Sequence, residues 1–524
     1  MTVQNGCNDT TLTTRPLAVS KGSTRIAIPV STANGDWVAA EIIREEFLHS
    51  ISTIDEAITE LDTSPSAKVE AEARLLADFL AFVAKFKQDS LCTHNVLLAT
   101  LKHFTTTYLT TTDVHSFVAS FDTDTRKSVL TSYYLALSTL ETTTEIAADQ
   151  IPRSPPSALL AAATDGQANI YTLFGGQGTN EVYFDELKNL YEIYKPYVES
   201  LIQHVSKSVL HPLAIKAENE GSSLYAYGLD VLSWLDGSSP VPPVDYLASI
   251  PISFPLIGLT QLVQYLATCR VSNLHPGEMR SLFKGATGHS QGIVSAVCIA
   301  ASGCMDSFQT NTEKALTWLF YSGLRGQEAF PVLAMDPALV KDSVEGGEGT
   351  PSPMLGVTGL GFAVLEKHIS ATNKYLPTNS RMAISLFNGP RAFVVTGPAR
   401  SLYGLVTSLR KIRAPSGLDQ SKIPFSQRKA VFNVRFLTVN VPYHSEYLSG
   451  VTQKVFEQDL QGSELWEKED LKIPVYHTED GSDLREISSS LTQSLCDQIF
   501  TMPIHWAKAT AFPETATHAI DFGP

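Results

Sequence analysis

The chain has 524 residues, 43% of them hydrophobic and 18% charged, with a formal net charge of −15. The length exceeds what one hydrophobic core supports and favours two to four folding units, and the acidic balance argues against nucleic acid as a partner. No run of about 18 apolar residues indicates a membrane span, and the polar start "MTVQNGCNDTTLTTRP" lacks the apolar core of a secretion signal, so we expect a cytoplasmic globular protein.

Residues 1–150 carry a mixture of predicted elements. The β-branched stretch Thr24–Val30 predicts a strand. Apolar residues recur at helical spacing over 36–61 and 69–86 and predict two helices, and the threonine clusters of 104–121 are typical of a helix border. Since no paired nucleophile and base stand out here, we expect a structural or assembly region.

A proline-rich stretch within Asp149–Gln167 predicts a linker, which we place at 151–166. Beyond it, "ANIYTLF" predicts a strand, "GGQG" a turn, and 180–205 an amphipathic helix. A second unit follows the same order, with a strand that runs into Gly288 and a helix that begins near Gln291. Strand–turn–helix units of this kind predict an α/β fold.

Two strand candidates flank the turn at Asn388, and a helix is predicted over 401–412. Because these elements lie between two motifs that carry chemistry, we expect an inserted α+β subdomain at 351–431, within an α/β core formed by 167–350 and 432–524. The chain stops directly after the predicted strand of "THAIDFGP", with its turn incomplete. We therefore expect the chain to be truncated at its C-terminal end.

The pentapeptide "GHSQG", Gly288–Gly292, fits the G-x-S-x-G nucleophile elbow. Glycines relieve crowding in a strained strand-to-helix turn, which would expose the hydroxyl of Ser290 at a helix N-terminus that favours a developing oxyanion. A structural turn that merely contains a serine is the alternative. A serine nucleophile needs a base; His444 follows an extended run in "TVNVPYHSEYL", whereas the side chain of the adjacent His289 should diverge from Ser290.

The glycine-rich stretch "FGGQG", which ends at Gly178, leaves backbone N–H groups accessible. It could lend one donor to an oxyanion hole, with the N–H of Gln291 as the other, or it could cradle a phosphate. It is not a Walker A loop, because no Gly-Lys-Ser/Thr follows.

The six cysteines indicate neither a disulfide framework nor a metal site. They are scattered along the chain, none forms a CxxC pair, and none has a histidine nearby at zinc-ligand spacing. We expect reduced thiols that pack as small hydrophobic residues.

The motifs "FGGQG", "GHSQG" and "VPYHS", in this order, resemble the malonyl/acetyl-CoA:acyl-carrier-protein transacylase family. The longer stretches "SLYGLVTSLRKIRAPSGLDQSKIPFSQRK", "IPVYHTEDGSDLR" and "HAIDFGP" resemble the N-terminal acetyltransferase part of the fungal type I fatty acid synthase β subunit. The resemblance runs from about Gly166 to the end and is weaker before it. It implies an α/β-hydrolase-like core with an inserted ferredoxin-like subdomain. It also implies no cofactor within this chain, since FMN and NADPH would belong to an enoyl reductase domain that follows "DFGP".

The resemblance also assigns roles to residues. Ser290 matches the acylated nucleophile and His444 the general base, and the backbone N–H groups of Gln177 and Gln291 match the oxyanion hole. In this family a backbone carbonyl, and not a carboxylate, orients the histidine. The matching stretch here is "MPIHW", which makes the carbonyl of His505 the candidate.

The implied reaction is acetyl transfer from acetyl-CoA, through a seryl ester, to the phosphopantetheine thiol of an acyl carrier protein. Other fatty acid synthase β and α subunits are the implied partners. Malonyl-selective relatives carry an arginine at the position of Ser322, and a serine offers a malonyl carboxylate no charge, so acetyl should be preferred. Arg325, three positions on, either reaches the same pocket or is structural. The substrate-binding candidates are Ser322, Arg325, His289 and Asn388.

Two other functions remain open from the residues alone. A serine hydrolase or thioesterase of α/β type would need an acidic residue between serine and histidine in chain order, and Asp336, Asp342 and Asp419 are available. A scaffold domain with a decayed site is the non-enzymatic alternative.

Overall fold

The structure, a computed structural model, describes residues 12–33, 37–52, 64–86, 91–178, 182–415, 417, 419–421 and 423–523. The chain forms two compact units. Unit 1 contains residues 1–161 and 189–199, and unit 2 contains residues 162–188 and 200–524. The change of unit at residue 161 falls inside the segment that the prolines marked as a linker.

Unit 1 combines a β-hairpin with a group of helices. Strands β1 (Leu12–Lys21) and β2 (Thr24–Ala33) pair antiparallel across a turn at Gly22, whose φ of +57° favours glycine. The hairpin packs against the first three helices. The helices are α1 (Trp37–Ser52), α2 (Pro65–Ala84), α3 (Leu91–Tyr108), α4 (Val114–Val118) and α5 (Thr123–Thr142).

The sequence predicted part of unit 1. The strand expected at Thr24–Val30 is confirmed within β2, but β1 was missed, because Pro16 and the threonines before it weaken the apolar alternation that marks a strand. The helix expected over 36–61 ends at Ser52 as described, and residues 53–61 lie outside the described part of the chain. The side chain of Ser64 caps α2 by accepting from the N–H of Ala67.

From the boundary onward the elements in chain order are α6 (Ala158–Thr164), β3 (Ile170–Phe174), α7 (Tyr183–Val205), α8 (His211–Asn219), α9 (Val231–Leu235), α10 (Val244–Ala248), α11 (Ile250–Val271), α12 (Pro276–Ser281), β4 (Phe283–Gly288), α13 (Gly292–Ala301), α14 (Met305–Ala329), α15 (Pro337–Glu345), β5 (Met354–Thr358), α16 (Phe362–Asn373), β6 (Ala383–Gly389), β7 (Ala392–Thr396), α17 (Ala399–Arg410), β8 (Asn433–Phe436), α18 (Val451–Gln453), α19 (Leu491–Phe500), β9 (Ile504–His505), α20 (Trp506–Ala509) and β10 (His518–Phe522).

The core of unit 2 is a parallel sheet in the order β10–β3–β4, with α13 packed on β3 and β4. The helix α11 is apolar on all sides and almost wholly buried in this unit. By length and composition α11 could cross a membrane, but such burial is typical of the central helix of a globular core. The predicted strand–turn–helix units are confirmed, and the fold is α/β.

The inserted subdomain has ferredoxin-like topology. Its elements follow as β5–α16–β6–β7–α17–β8, and the strands lie antiparallel in the order β8–β5–β7–β6. Alternate residues of β5, Leu355 and Val357, face a buried cluster shared with α16 and α17. The last strand, Asn433–Phe436, lies beyond the predicted end of the insertion at residue 431, because four residues are too few for a recognisable alternation.

Candidate active site

The elbow at Ser290 joins the end of β4 to the start of α13. Ser290 has a φ of +53°, the left-handed conformation that a sharp strand-to-helix turn requires. The residues two positions before and after Ser290 must be glycine: a Cβ at Gly288 would lie 1.9 Å from the carbonyl carbon of Gly292, and one at Gly292 would lie 2.3 Å from the carbonyl oxygen of Phe174. The turn therefore packs closely against the end of β3 and carries the side chain of Ser290.

That side chain meets His444. The Oγ of Ser290 lies 2.8 Å from Nε2 of His444, and both residues are buried. The Nδ1 of His444 lies 3.0 Å from the carbonyl oxygen of Met502 and donates to it. Because that carbonyl can only accept, Nδ1 carries the proton and Nε2 is left to accept from the serine hydroxyl.

The carbonyl that orients His444 is thus that of Met502, and the prediction of His505 is wrong. The helix α19 ends at Phe500, which leaves the carbonyl of Met502 free in the turn that follows. His505 lies in β9 instead, where its N–H donates to the carbonyl of Thr478. The stretch "MPIHW" does contain the orienting carbonyl, but the sequence alone did not show that α19 ends at Phe500.

The backbone holds His444 in place from the same helix. The N–H of His444 donates to the carbonyl of Ile499 at 3.1 Å, and the N–H of Ser445 donates to that of Phe500 at 2.9 Å. His444 has a φ of +60°, and the residues before it form an irregular segment, so the predicted strand end is not found there. The base is fixed by the end of α19 and not by a sheet.

Burial lowers the pKa of His444 to about 4. The nearby charge of His289 lowers the same pKa further, and the hydrogen bond to Met502 opposes both effects. At neutral pH the imidazole is therefore uncharged and can take a proton from the serine.

The loop Gly175–Gly178 lies against the elbow. A Cβ at Gly176 would lie 2.8 Å from the carbonyl oxygen of His289, so only glycine allows this approach. The backbone N–H groups of Gln177 and Gln291 form no hydrogen bond within the described part of the chain. The side chains of these two glutamines join, with Nε2 of Gln177 2.7 Å from Oε1 of Gln291. The loop and the elbow thus bring together the two predicted donors of the oxyanion hole.

A cleft of about 320 Å³ opens above Ser290 and His444. One wall is the loop and the elbow, and the other is the face of the ferredoxin-like sheet that points away from its helices. The sheet residues on that wall are largely apolar: Met354, Gly356, Thr358, Leu386, Ala392 and Val394. Phe393 also lines the cleft, although it belongs to the buried cluster on the helix side of the sheet. At its rim, Nε2 of His289 lies 2.9 Å from Oδ1 of Asn388, so these two predicted residues do meet at the cleft.

Ser322 and Arg325 do not line this cleft. Ser322 is fully buried on α14, its Oγ has no partner among the described residues, and its carbonyl accepts from the hydroxyl of Tyr443 at 3.3 Å. Tyr443 does line the cleft, and the sequence reasoning passed over it although it precedes His444 directly. Ser322 therefore lies behind Tyr443.

Of the two alternatives for Arg325, the structure supports a structural residue and not a substrate-binding one. Its Nε and Nη2 donate to the two carboxylate oxygens of Asp459 at 2.8 and 2.6 Å, and its Nη1 donates to Glu328. A guanidinium held by two carboxylates is already neutralised and fixed in place. Arg325 is a structural residue.

The three candidate acids also have other partners. Asp336 caps α15, Asp342 pairs with Arg410, and Asp419 bonds to Ser421. No group of three or more metal-ligating side chains occurs in the ranges that the structure describes. The arrangement can deprotonate a serine and stabilise an oxyanion through backbone groups, which is the chemistry of acyl transfer.

Two family models match the chain. Residues 172–430 match "Starter unit:ACP transacylase in aflatoxin biosynthesis", and residues 13–140 match "N-terminal domain in fatty acid synthase subunit beta". These two segments cover much of unit 2 and most of unit 1.

Curated relatives cover nearly the whole chain. It is 41% identical over 97% of its length to fatty acid synthase subunit beta of Schizosaccharomyces pombe, of which it covers 23%. It is 38% identical over 98% of its length to fatty acid synthase subunit beta of Saccharomyces cerevisiae, of which it covers 24%. The chain thus spans about a quarter of the length of these relatives. A crystal structure of MCAT from Streptococcus pneumoniae aligns with 68% of this chain and 89% of its own, at 17% identity and a TM-score of 0.43.

Proposed function

Because the chain belongs to the acyltransferase family of fungal fatty acid synthase β subunits, we propose that it transfers an acetyl group from acetyl-CoA to the phosphopantetheine thiol of an acyl carrier protein. The observation that carries this proposal is the hydrogen bond of 2.8 Å between Oγ of Ser290 and Nε2 of His444. Its position at the floor of an apolar cleft supports the same conclusion.

Acylation begins with the uncharged His444. Its Nε2 takes the proton of Ser290 while Oγ attacks the thioester carbonyl carbon. The oxyanion forms between the N–H groups of Gln177 and Gln291, which have no other acceptor in the described part of the chain. The carbon–sulfur bond then breaks, and the imidazolium returns its proton to the sulfur of CoA.

Deacylation repeats these steps in the opposite direction with a different thiol. His444 deprotonates the phosphopantetheine thiol of the carrier protein, which attacks the seryl ester, and Ser290 regains its proton. The ester must be protected from water between the two half-reactions. The apolar sheet wall and the burial of Ser290, which is 7% exposed, provide that protection.

The acetyl group is preferred because no lysine or arginine lines the cleft among the residues that the structure describes. Ser322 lies behind Tyr443, and Arg325 is bound to Asp459. A malonyl carboxylate would be buried without a partner, which costs on the order of several kcal/mol.

We further propose that unit 1 serves assembly and that the partners in the cytoplasm are the carrier protein and other synthase α and β subunits. The match of residues 13–140 to the synthase N-terminal domain supports this.

The decisive experiment is intact-mass analysis after incubation with acetyl-CoA. Wild type should gain one acetyl group, and Ser290→Ala should gain none while keeping its circular dichroism spectrum. The matched control is Ser445→Ala, which should still be labelled. Ser445 follows His444 in the chain, but its hydroxyl donates to the carbonyl of Pro442 and not to the imidazole. Label that persists on Ser290→Ala would show that another residue is the nucleophile.

The rate at which the acetylated enzyme loses its acetyl group distinguishes a transferase from a hydrolase. Release of the acetyl group should be slow in buffer and fast when a pantetheine thiol or a carrier protein is added. Equally fast release in buffer alone would identify a hydrolase.

A further inference from the structure

The helix α11 runs beside both the loop Gly175–Gly178 and the elbow, and it bonds to each through buried polar side chains. Such groups are costly to bury unless every one is paired. A central helix that is otherwise apolar would be expected to avoid them. Their presence at this place in α11 therefore needs an explanation.

The first set of hydrogen bonds forms a continuous series across the proposed oxyanion hole. The hydroxyl of Ser253 donates to Oε1 of Gln177 at 3.2 Å, and Nε2 of Gln177 donates to Oε1 of Gln291 at 2.7 Å. Nε2 of Gln291 then donates to the carbonyl of Phe254 at 3.1 Å. The series leaves the first turn of α11 at Ser253 and returns to the neighbouring residue.

The direction of this series is fixed by its last bond. The carbonyl of Phe254 can only accept, so Gln291 must present its NH₂ group there and its oxygen to Gln177. Gln177 must then present its own NH₂ group, which leaves its oxygen for the hydroxyl of Ser253. Each amide has one consistent orientation, since a flip of Gln291 would break two hydrogen bonds and a flip of Gln177 would break its hydrogen bond to Gln291.

A second set of hydrogen bonds holds the same loop about two turns further along α11. Nε2 of Gln261 donates to the carbonyl of Gly175 at 2.7 Å, and Oε1 of Gln261 accepts from the hydroxyl of Ser295 at 2.7 Å. Gln261 and Ser295 are fully buried. The loop is thus tied to α11 at two points and, through Gln261 and Ser295, to α13, the helix that begins at the elbow.

We propose that the side chain of Gln291, joined to Gln177 and Ser253, positions the oxyanion hole by fixing the separation of its two backbone N–H donors. This inference rests on the proposed function. The two donors belong to segments more than a hundred residues apart, so the amide bond between the side chains is a direct cross-link between them. Gln291 and Gln177 are then positioning residues through their side chains, in addition to their backbone roles.

A purely structural role for the network predicts a different result. In that case its loss would lower stability and leave the chemical step unchanged in the protein that remains folded. A positioning role predicts a lower rate at saturating substrate with little change in substrate binding, because the donors act on the oxyanion and not on the ground-state thioester.

Gln291→Leu tests this directly, since leucine keeps the bulk and removes both bonds. Single-turnover acylation by acetyl-CoA should slow by about 10- to 100-fold at saturation, with the half-saturating concentration within about twofold of wild type. The control is Gln264→Leu on α11, where the glutamine donates a hydrogen bond to Glu186 and not to the loop. Its acylation rate should stay within about twofold of wild type.

Ser253 supplies a second, milder test that does not depend on the folding of Gln291→Leu. Ser253→Ala removes the hydroxyl that donates to Oε1 of Gln177, and its saturating rate should fall by about 3- to 10-fold. Ser253→Thr keeps a hydroxyl and should recover most of that loss.

The outcomes separate the two proposals. If wild type is labelled and Gln291→Leu acylates at the wild-type rate, or no more slowly than Gln264→Leu, the positioning role is overturned alone. If wild type is never labelled by acetyl-CoA, the proposed function fails and the positioning role fails with it.

Discussion

At the scale of single residues, the buried His444 determines how acylation should respond to pH. Only its neutral form accepts the proton of Ser290, and burial lowers its pKa to about 4. Because the pKa is lowered, the neutral form persists in mild acid and is lost only as the pH falls through that value. An exposed histidine would lose this form below about 6.5.

We therefore expect the acylation rate constant to stay level from about pH 8 down to about pH 5 and to fall below that. Stopped single turnovers with acetyl-CoA measure it, with circular dichroism at each pH to verify the fold. A midpoint near 6.5 would show that His444 is solvated in the working enzyme.

The choice of acyl group also belongs to single residues. Wild type should load acetyl-CoA in preference to malonyl-CoA by at least about 10²-fold, because a malonyl carboxylate finds no lysine or arginine among the described residues that line the cleft. Ser322→Arg should narrow that ratio, provided that Tyr443 moves to let the guanidinium reach the cleft.

Competition between the two thioesters, read by intact mass, measures the ratio. Ser322→Val is the control, since valine adds bulk without charge and should leave acetyl preferred. A wild type that loads malonyl at least as well would contradict the assignment of the acyl group.

At the scale of elements, the contact between the loop and the elbow can be tested within one loop. Gly176→Ala places a Cβ 2.8 Å from the carbonyl of His289 and should push the loop away, whereas Gly178→Ala places one in open space. We expect acylation to fall by about 100-fold in the first and to remain near wild type in the second. Equal rates in both variants would show that the loop does not have to lie against the elbow.

The same elements show how far sequence reasoning reached. The elbow and the strands before and after the linker were predicted, because glycine turns and apolar alternation are local signals. The pairing of Ser290 with His444 came from a family resemblance, since 154 positions separate them. The orienting carbonyl of Met502 was missed because it depends on where α19 ends. The two alternatives for Arg325 stayed open because Asp459, 134 positions away, leaves no local trace.

At the scale of the whole molecule, the two units should differ in what they contribute. Every residue of the proposed chemistry lies in unit 2, while the middle of α7 groups with unit 1. There the hydroxyl of Tyr194 lies 2.8 Å from Nε2 of His115, and its ring packs beside that of Tyr134. Removal of residues 1–161 would expose this stretch of α7.

A fragment of residues 162–524 should therefore have a lower melting temperature and a smaller soluble yield than the full chain. Its soluble, folded fraction should still acylate Ser290 to nearly one group per molecule. Calorimetry and intact mass measure the two quantities. A fragment with a native circular dichroism spectrum and no acylation would place part of the chemistry in unit 1.

The left-handed backbone at Ser290 and His444 implies a trade-off between activity and resistance to unfolding. For an L-residue that conformation costs about 1–2 kcal/mol, and here it is imposed on both reacting residues, at φ values of +53° and +60°. Ser290→Gly and Ser290→Ala both lose the hydroxyl, but only glycine relaxes the backbone. The glycine variant should be more stable than the alanine variant by about 1 kcal/mol in chemical denaturation. Selection for stability alone would thus favour glycine at position 290. The serine is kept there only while acyl transfer is also under selection.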